Sequence, residues 1–563
     1  MTCRRALAAV ALALTLGLVS IQAAGGRASI VAGDLKEWLT FVASDELEGR
    51  AVFTEGLGIA AGYIQGYLQA WGVKPGGDHG GYLQTVRVRG VKSTNRSTLT
   101  VRVGTDSRTF KDGEGITFPR NVGARRTLTI DRVEFTGYGL DVPGHMDLRG
   151  KSLEDAAVVF LGTSGPKDVD RQAFRRVLSG RSRHAIDQLH AAAAIGPSNT
   201  TATVQGRGTT PPAGAGGGGA AGPGGGRGIV ADFTTTQRLD LAIAPAVTAT
   251  DAFFEFLFSK APVHYDELKR RANDQNPLPS FRLEGVTLTF NVDADYEIVR
   301  TQLTENVIGI VEGSDPQLKS TFVVIGAHYD HVGYADGELT SDGKRPSPPG
   351  RVTSGTADDR IWNGADDDGS GTVAVMALAR AFAQGVHPRR SLLFIWHAGE
   401  ERGLYGSRYF ADYPSVPLDK IVAQLNIDMI GRNRDDKKSE ANTVYLVGSD
   451  RISSELDQLS REANQSLQPP LKLDYEMNDP SDPEQVYYRS DHYSYASKGI
   501  PIIFFTTGLH PDYHANTDDV SKIEFPKLAR VTQLVYETAL RVANLDHAPV
   551  RDNKGPRAGK GTP

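Results

Sequence analysis

Of the 563 residues only one is a cysteine, Cys3. It stands before an apolar run at the start of the chain, where it is badly placed to become a lipidated cleavage residue. A lone thiol cannot form an internal disulfide. Once the segment carrying it is removed, no thiolate metal ligand or cysteine nucleophile remains. Any metal site must then use His and carboxylates. An excess of positive charge is also missing. The 62 Lys and Arg stand against 67 Asp and Glu, a formal net charge of −5, which leaves no basic footprint for nucleic acid. A Gly-x-Ser-x-Gly elbow and a His-Glu-x-x-His helix are both lacking, which removes the usual frames for serine and single-zinc hydrolysis. After the first two dozen residues no apolar run approaches the roughly 20 residues that a membrane span needs.

What the start of the chain does have is an export signature. Arg4 and Arg5 precede an apolar run from Ala6 to Val19, and Ala23 and Ala24 offer a cleavage site, so residues 1–24 read as a signal peptide. The run is short for an uncleaved anchor. Sec and twin-arginine export are both open. The mature protein is therefore expected in a secreted or periplasmic location, with no stable membrane insertion.

The remaining length exceeds one compact core, so more than one domain is expected. Two helices are predicted between Asp34 and Trp71, the second with Ile59, Tyr63, Ile64, Tyr67 and Leu68 at helical spacing. Residues 25–125 read as the N-terminal part of one domain. From 126 to 276 the texture changes to short strands, such as Val133-Glu-Phe135 and Ala157-Val-Val-Phe160, with a Gly-rich loop over 211–228. From 277 to 548 the pattern becomes α/β. Phe322-Val-Val-Ile325, Ser391-Leu-Leu-Phe-Ile-Trp396, Ile421-Val-Ala-Gln-Leu425 and Pro501-Ile-Ile-Phe-Phe505 are short apolar runs that suit strands covered on both faces. Helical segments at 372–383 and 524–543 alternate with them, which implies a mixed or parallel sheet. The polar tail 549–563 reads as disordered.

In open α/β sheets ligands bind beyond the carboxyl ends of strands. His328 and Asp330 follow the first of the four runs, in Gly326-Ala-His-Tyr-Asp-His331. Glu400 and Glu401 follow the second, in His397-Ala-Gly-Glu-Glu-Arg402. Asp428 ends the third, and Tyr513 and His514 lie shortly after the fourth. A further cluster, Asn363-Gly-Ala-Asp-Asp-Asp-Gly-Ser-Gly371, opens the helix after Thr372. Singly, each is an ordinary turn, cap or surface feature. Together they bring imidazole and carboxylate donors to one rim, as a nitrogen- and oxygen-donor metal site requires.

The order His-x-Asp, Gly-Ala-x-Asp-x-x-Ser-Gly, Glu-Glu, Asn-x-Asp and Tyr-His resembles the co-catalytic two-zinc aminopeptidases, which form one family with the glutamate carboxypeptidases. The likeness runs from about Asp34 to Asn544 and includes Ser44-Asp-Glu-Leu-Glu-Gly-Arg50. It is interrupted by a stretch similar to a protease-associated domain, with Thr136-Gly-Tyr-Gly139 and Leu148-Arg-Gly-Lys151 as the recognisable parts. The resemblance implies a mostly parallel mixed sheet flanked by helices, with a β-rich insert over 126–276. It also implies two Zn²⁺ ions, Asp367 bridging both, His328 and Asp428 completing one site and Glu401 and His514 the other. Asp330 would orient His328, Glu400 would be the general base for attack by a metal-bridged hydroxide, and Tyr513 would donate to the tetrahedral oxyanion. Asp366, Asp368, His331 and His397 match no ligand position, and the bond from Asp367 to Asp368 is expected to be cis. Cobalt or manganese would also suit such donors.

The implied function is exopeptidase action on peptide substrates, as an aminopeptidase. Three alternatives stay open. A glutaminyl cyclase shares the scaffold but resembles a one-zinc variant, whereas both first-site ligands are kept here. A glutamate-releasing carboxypeptidase would need a basic residue against the substrate carboxylate, and no residue is assignable to that task from sequence. A noncatalytic receptor-like module would have lost ligands that this sequence retains. Ser490-Asp-His-Tyr493 is placed near the site without a role.

Overall fold

The computed structural model describes residues 25–198, 230–335 and 348–552. The export segment 1–24, the Gly-rich loop 211–228 and the tail after Asp552 lie outside the described residues. Residues 549–552, expected to be disordered with that tail, are held at the start of helix Ser454–Gln465. There the Val550 amide donates to Glu455, and the Ser454 amide donates to Asp552.

Helices α1 (Ala32–Val42) and α2 (Glu55–Ala70) come first. The latter buries Leu57, Ala60, Ala61, Ile64 and Leu68. Ile59, expected on that stripe, is 42% exposed. It lies two positions from Leu57, which is about 200° around the helix and so on the opposite side. Tyr63 and Tyr67 sit at the edge of the stripe, half-buried against Phe41 and Trp38.

β1 (Leu83–Asn95) and β2 (Ala294–Val311) form an antiparallel ribbon from Ala294↔Asn95 to Val307↔Leu83. The chain leaves this ribbon at Asn95 and builds a second unit before returning at Ala294, with Phe233–Thr235 pairing back onto β1 on the way. That unit is a ten-stranded sheet whose strands run from Thr98–Val103 to Val286–Val292. It therefore extends beyond 126–276 at both ends. The alternation in Leu99-Thr-Val-Arg-Val103 buries Leu99, Val101 and Val103 in the second unit's core, not the first. Helix α3 (Arg175–Arg183) lies on this unit and faces the first.

Beyond β2 the first sheet continues with β3 (Phe322–His328), β4 (Ser391–His397), β5 (Ile421–Ile427), β6 (Thr443–Val447) and β7 (Ile502–Thr506). Helix α4 (Gly371–Ala383) lies between β3 and β4, and α5 (Phe525–Asn544) follows β7. The sheet has ten strands, in the order Phe233–Thr235, β1, β2, β4, β3, β5, β7, β6, Lys472–Asp474, with Lys74–Pro75 also pairing with β2. It is mixed. β4, β3, β5 and β7 are mutually parallel, whereas β2 and β6 join them antiparallel.

The apolar runs are strands because both faces are covered. Val323, Ile325, Leu392, Phe394 and Trp396 pack in the core with α1, α2, α4 and α5. Their neighbours Val324, Leu393 and Ile395 pack on the opposite face with Phe410, Tyr495 and Phe504. The period of two along a strand thus feeds two cores at once. Among the described residues no helix is long and apolar enough to cross a membrane.

Candidate functional site

Parallel pairing puts the carboxyl ends of β4, β3, β5 and β7 on one rim. His328 is the last residue of β3 and Asp428 directly follows β5. Glu400 and Glu401 lie in the turn after β4, Asp367 lies in the turn that opens α4, and Tyr513 and His514 lie in the loop after β7. Residues spread over nearly two hundred positions meet there. Asp367 spans the centre, with one carboxylate oxygen 3.3 Å from His328 Nε2 and the other 3.0 Å from His514 Nε2. Asp428 Oδ1 is 3.7 Å from His328 Nε2, and Glu401 Oε2 is 3.1 Å from His514 Nε2.

Asp367 Oδ2 and Glu401 Oε1 are buried and make no hydrogen bond of good geometry, with only imidazole nitrogens close by, His514 Nε2 and His331 Nδ1 each at 3.0 Å. Donors at about 2.0–2.1 Å from one tetrahedral ion stand roughly 3.3 Å from each other, and that is the spacing seen. The donor set, imidazole and carboxylate without sulfur, suits divalent zinc and its neighbours. Two groups have ligand atoms all within 4.8 Å of one another, His328 with Asp368 and Asp428, and His331 with Asp367 and Glu401. The residues present therefore fit divalent metal.

Charge in the cluster is correspondingly polarised. Burial works against the charge on Asp367, but His328 and His514 hold its carboxyl well below the usual range. Burial pushes the Glu400 carboxyl well above its usual range, with Glu401, Asp428 and Asp491 adding to the rise against the pull of His328.

Backbone contacts fix the loops. The Asp330 carboxylate accepts from the amides of Glu400 at 3.0 Å and Glu401 at 3.4 Å. The expected contact to His328 is looser. Nδ1 of that ring bonds the Asp330 carbonyl at 3.0 Å, and the carboxylate is 3.7 Å away. Asp330 thus orients His328 through its main chain and holds the glutamate loop with its side chain. Asp518 accepts from the amides of Asp366 and Asp367. Asp368 accepts from the amides of Gly371 and Met429, which occupies one of its oxygens. Gly371 has no alternative, since a Cβ there would sit 2.4 Å from that carboxylate. The Asp367–Asp368 bond is cis.

Several contributors were not assigned from sequence. Fully buried Arg50 donates to the carbonyls of Tyr329, Asn363 and Gly364, tying the β3 loop to the loop of Asp367. Burial pushes its guanidinium down to about 10, with Asp330, Asp368 and Asp367 opposing. Its only signal was membership of the Ser44–Arg50 motif. Ser490 donates to Asp428 at 2.7 Å, and Asp491 lies 3.3 Å from His397. The Ser490–Tyr493 segment therefore supports the rim. His331 lies 3.0 Å from Glu401 Oε1; the pattern of spacings had given it nothing to do.

The cluster floors an open cleft lined by His328, Asp367, Glu400, Asp428, Tyr513 and His514. Its remaining wall is largely apolar, with Met429, Met477, Val486, Phe504 and Leu509, and is interrupted by Arg489. The Tyr513 ring stacks on His514 with centroids 4.0 Å apart.

Comparison with known proteins adds similarities. The model of "Peptidase family M28" matches residues 306–539. The leupeptin-inactivating enzyme 1 of Streptomyces exfoliatus is 31% identical over 186 residues, covering 32% of this chain and 36% of that protein. A probable leucine aminopeptidase of Trichophyton verrucosum is 28% identical over 237 residues, covering 40% of this chain and 56% of that protein. The chain thus spans less than two thirds of the length of these curated relatives. Among solved structures, BSAP, a zinc aminopeptidase from Bacillus subtilis, aligns with a TM-score of 0.42 and 16% identity over 92% of this chain and 96% of that one.

Proposed function

Because residues 306–539 match the model of peptidase family M28, we propose that the chain is a zinc-dependent aminopeptidase, acting on the terminal bond of peptides. The observation that carries this reading is Asp367, whose two oxygens lie 3.3 Å from His328 and 3.0 Å from His514. One carboxylate between two imidazoles is what a co-catalytic pair needs. His328, Asp367 and Asp428 would hold one zinc ion, and Asp367, Glu401 and His514 the other. His331 and Asp368 are left out. Neither matches a ligand position of the resemblance, His331 Nδ1 faces Glu401 Oε1 at 3.0 Å, and one Asp368 oxygen serves two backbone amides. Two bound ions would polarise the scissile carbonyl and make water acidic enough to react near neutral pH.

Glu400 lines the cleft beside these groups. A carboxyl raised by burial suits a general base that takes a proton from water and returns it to the leaving amine. Tyr513 offers its hydroxyl to the oxyanion that develops on the carbonyl oxygen, a contact worth roughly 3 kcal/mol in comparable sites. The apolar wall favours an apolar terminal side chain. The names of the fungal relatives, leucine aminopeptidases, agree with that. Export by residues 1–24 and a protease-associated character of the second unit belong to the same reading.

Carboxypeptidase action has one observation in its favour, the cationic Arg489 in the cleft. Its terminal nitrogens, however, already face Glu484 and Tyr513. A leucyl dipeptide and its amino-acetylated form, offered to wild type and Glu400→Gln, separate these readings. Release of leucine from the free peptide alone is expected, with Glu400→Gln retaining fold and metal but losing about a hundredfold or more in kcat. Cleavage of the acetylated peptide alone would overturn the aminopeptidase reading, and near-normal turnover of the variant would remove Glu400 from its role.

A further inference from the structure

We propose that Arg489 is a positioning residue for Tyr513, held in turn by Glu484 and, from the second unit, Arg176. This rests on the reading of Tyr513 as oxyanion donor. Arg489 Nη2 donates to the Tyr513 hydroxyl at 3.2 Å. A guanidinium has donors only, so this bond consumes a lone pair of the phenolic oxygen and leaves the phenolic proton free. The ring is stacked on His514, which limits its rocking, and the second contact fixes the hydroxyl end. The proton is thereby left for the cleft, where the carbonyl oxygen of a substrate would accept it.

Arg489 is itself anchored. Its Nη1 lies 3.0 Å from Glu484 Oε2, and Nε of Arg176 lies 3.2 Å from the same oxygen. Arg176 is on α3, so a continuous polar chain runs from the second unit to the site. Neighbouring contacts brace the same segment. His184 faces the Tyr488 hydroxyl at 3.3 Å, the Arg183 guanidinium covers the Tyr488 ring, and Tyr493 donates to Asp187. Because Ser490 holds Asp428, adjacent residues of one braced segment set a metal ligand and the oxyanion donor.

The test is a double-mutant cycle of Arg489→Met and Tyr513→Phe in the full-length metal-loaded protein, with a leucyl anilide and a leucyl dipeptide as substrates. Arg489→Met is expected to lower kcat about tenfold on both, with KM within about twofold and metal content unchanged. Arg489→Lys should recover part of the loss, and Arg489→Met should add nothing in the Tyr513→Phe background. Multiplying effects in the double variant would overturn the proposal. So would a rise in KM confined to the dipeptide, which would make Arg489 a site for the substrate carboxylate. Unchanged kcat in Tyr513→Phe alone would instead sink the oxyanion reading, and this proposal with it. Glu484→Gln probes the same link from a half-exposed position without emptying a buried site. A kcat loss of about threefold that disappears in the Tyr513→Phe background is expected, and no loss would overturn the chain of contacts.

Discussion

The two sheets of this molecule share a motif and differ in what they do with it. Each has ten strands, and each contains four adjacent parallel ones. In the first sheet these are β4, β3, β5 and β7. In the second they are Val133–Thr136, Ala157–Val159, Ala193–Pro197 and Ala246–Ala249. Parallel strands end on one rim in both cases, yet the rims carry different chemistry. Past its strand ends the first sheet presents His328, Glu400, Glu401, Asp428 and His514. The second presents Gly137-Tyr-Gly139, Phe160, Ser198 and Thr250-Asp251. Among the described residues both groups able to hold a metal lie on the first. The second unit's interior is built on Phe110, Phe118, Phe135, Phe253, Phe254, Phe258 and Phe290. Topology therefore supplies a place for a site, and only the residues just beyond the strands make one.

The largest expected effect strikes the shared carboxylate. Asp367→Ala should lower metal occupancy at both positions together and reduce turnover by about a thousandfold or more. Metal analysis of the purified variant decides it. Loss of one ion with the other retained would mean that Asp367 does not bridge, and the contrast between the rims would then rest on two separate sites.

A smaller effect belongs to the second sheet. Phe290 is fully buried there, pairs with Leu99 and Leu128 on neighbouring strands and meets Phe118 edge-on. Truncation to Ala leaves a cavity, and about 3–5 kcal/mol of that unit's stability should be lost. Metal content should be untouched, since among the described residues neither candidate metal group lies there. Calorimetry would show an early transition for the second unit, and simultaneous loss of metal with that transition would show that the units unfold as one.

How far each rim could be read from sequence follows from the same contrast. The four strands of the first sheet are continuous apolar runs with a polar break, so both the strand and the ligand after it were legible. Thr98–Val103 was legible as a strand, but period-two alternation does not say which sheet a strand joins, and the second unit was drawn too narrowly at 126–276. Long-range polar contacts were not legible either. Arg50 reaches the carbonyls of Asn363 and Gly364 across more than three hundred residues, and Arg489 meets Tyr513 across a helical turn (His492–Ala496) and β7. Neither has a spacing that announces its partner. The Asp330 carboxylate, placed beside His328, lies 3.7 Å from its Nδ1 and also serves the amides of Glu400 and Glu401, a second contact that sequence order does not announce.

The smallest effect contrasts one buried cation from each unit. In the second, Arg181 donates to the carbonyls of Tyr138 and Gly162, and burial pushes it down to about 10. In the first, Lys527 donates to the Arg432 and Glu440 carbonyls and to Asn433. Burial pushes it down to about 8, with Asp366, Glu440 and Glu524 opposing. The unfolded chain holds the lysine proton to its ordinary value of 10.5. Between about 8 and 10.5 the unfolded state therefore binds more protons than the folded one, and stability contributed by Lys527 rises with pH across that window. The gain should be about 3 kcal/mol, and it should be missing from Lys527→Met. Unfolding free energies measured for both proteins from pH 7.5 to 10.5 isolate this contribution as a difference in slope, since other titrating groups are common to the two. Parallel curves would show that the ammonium of Lys527 is fully compensated by its carbonyl partners.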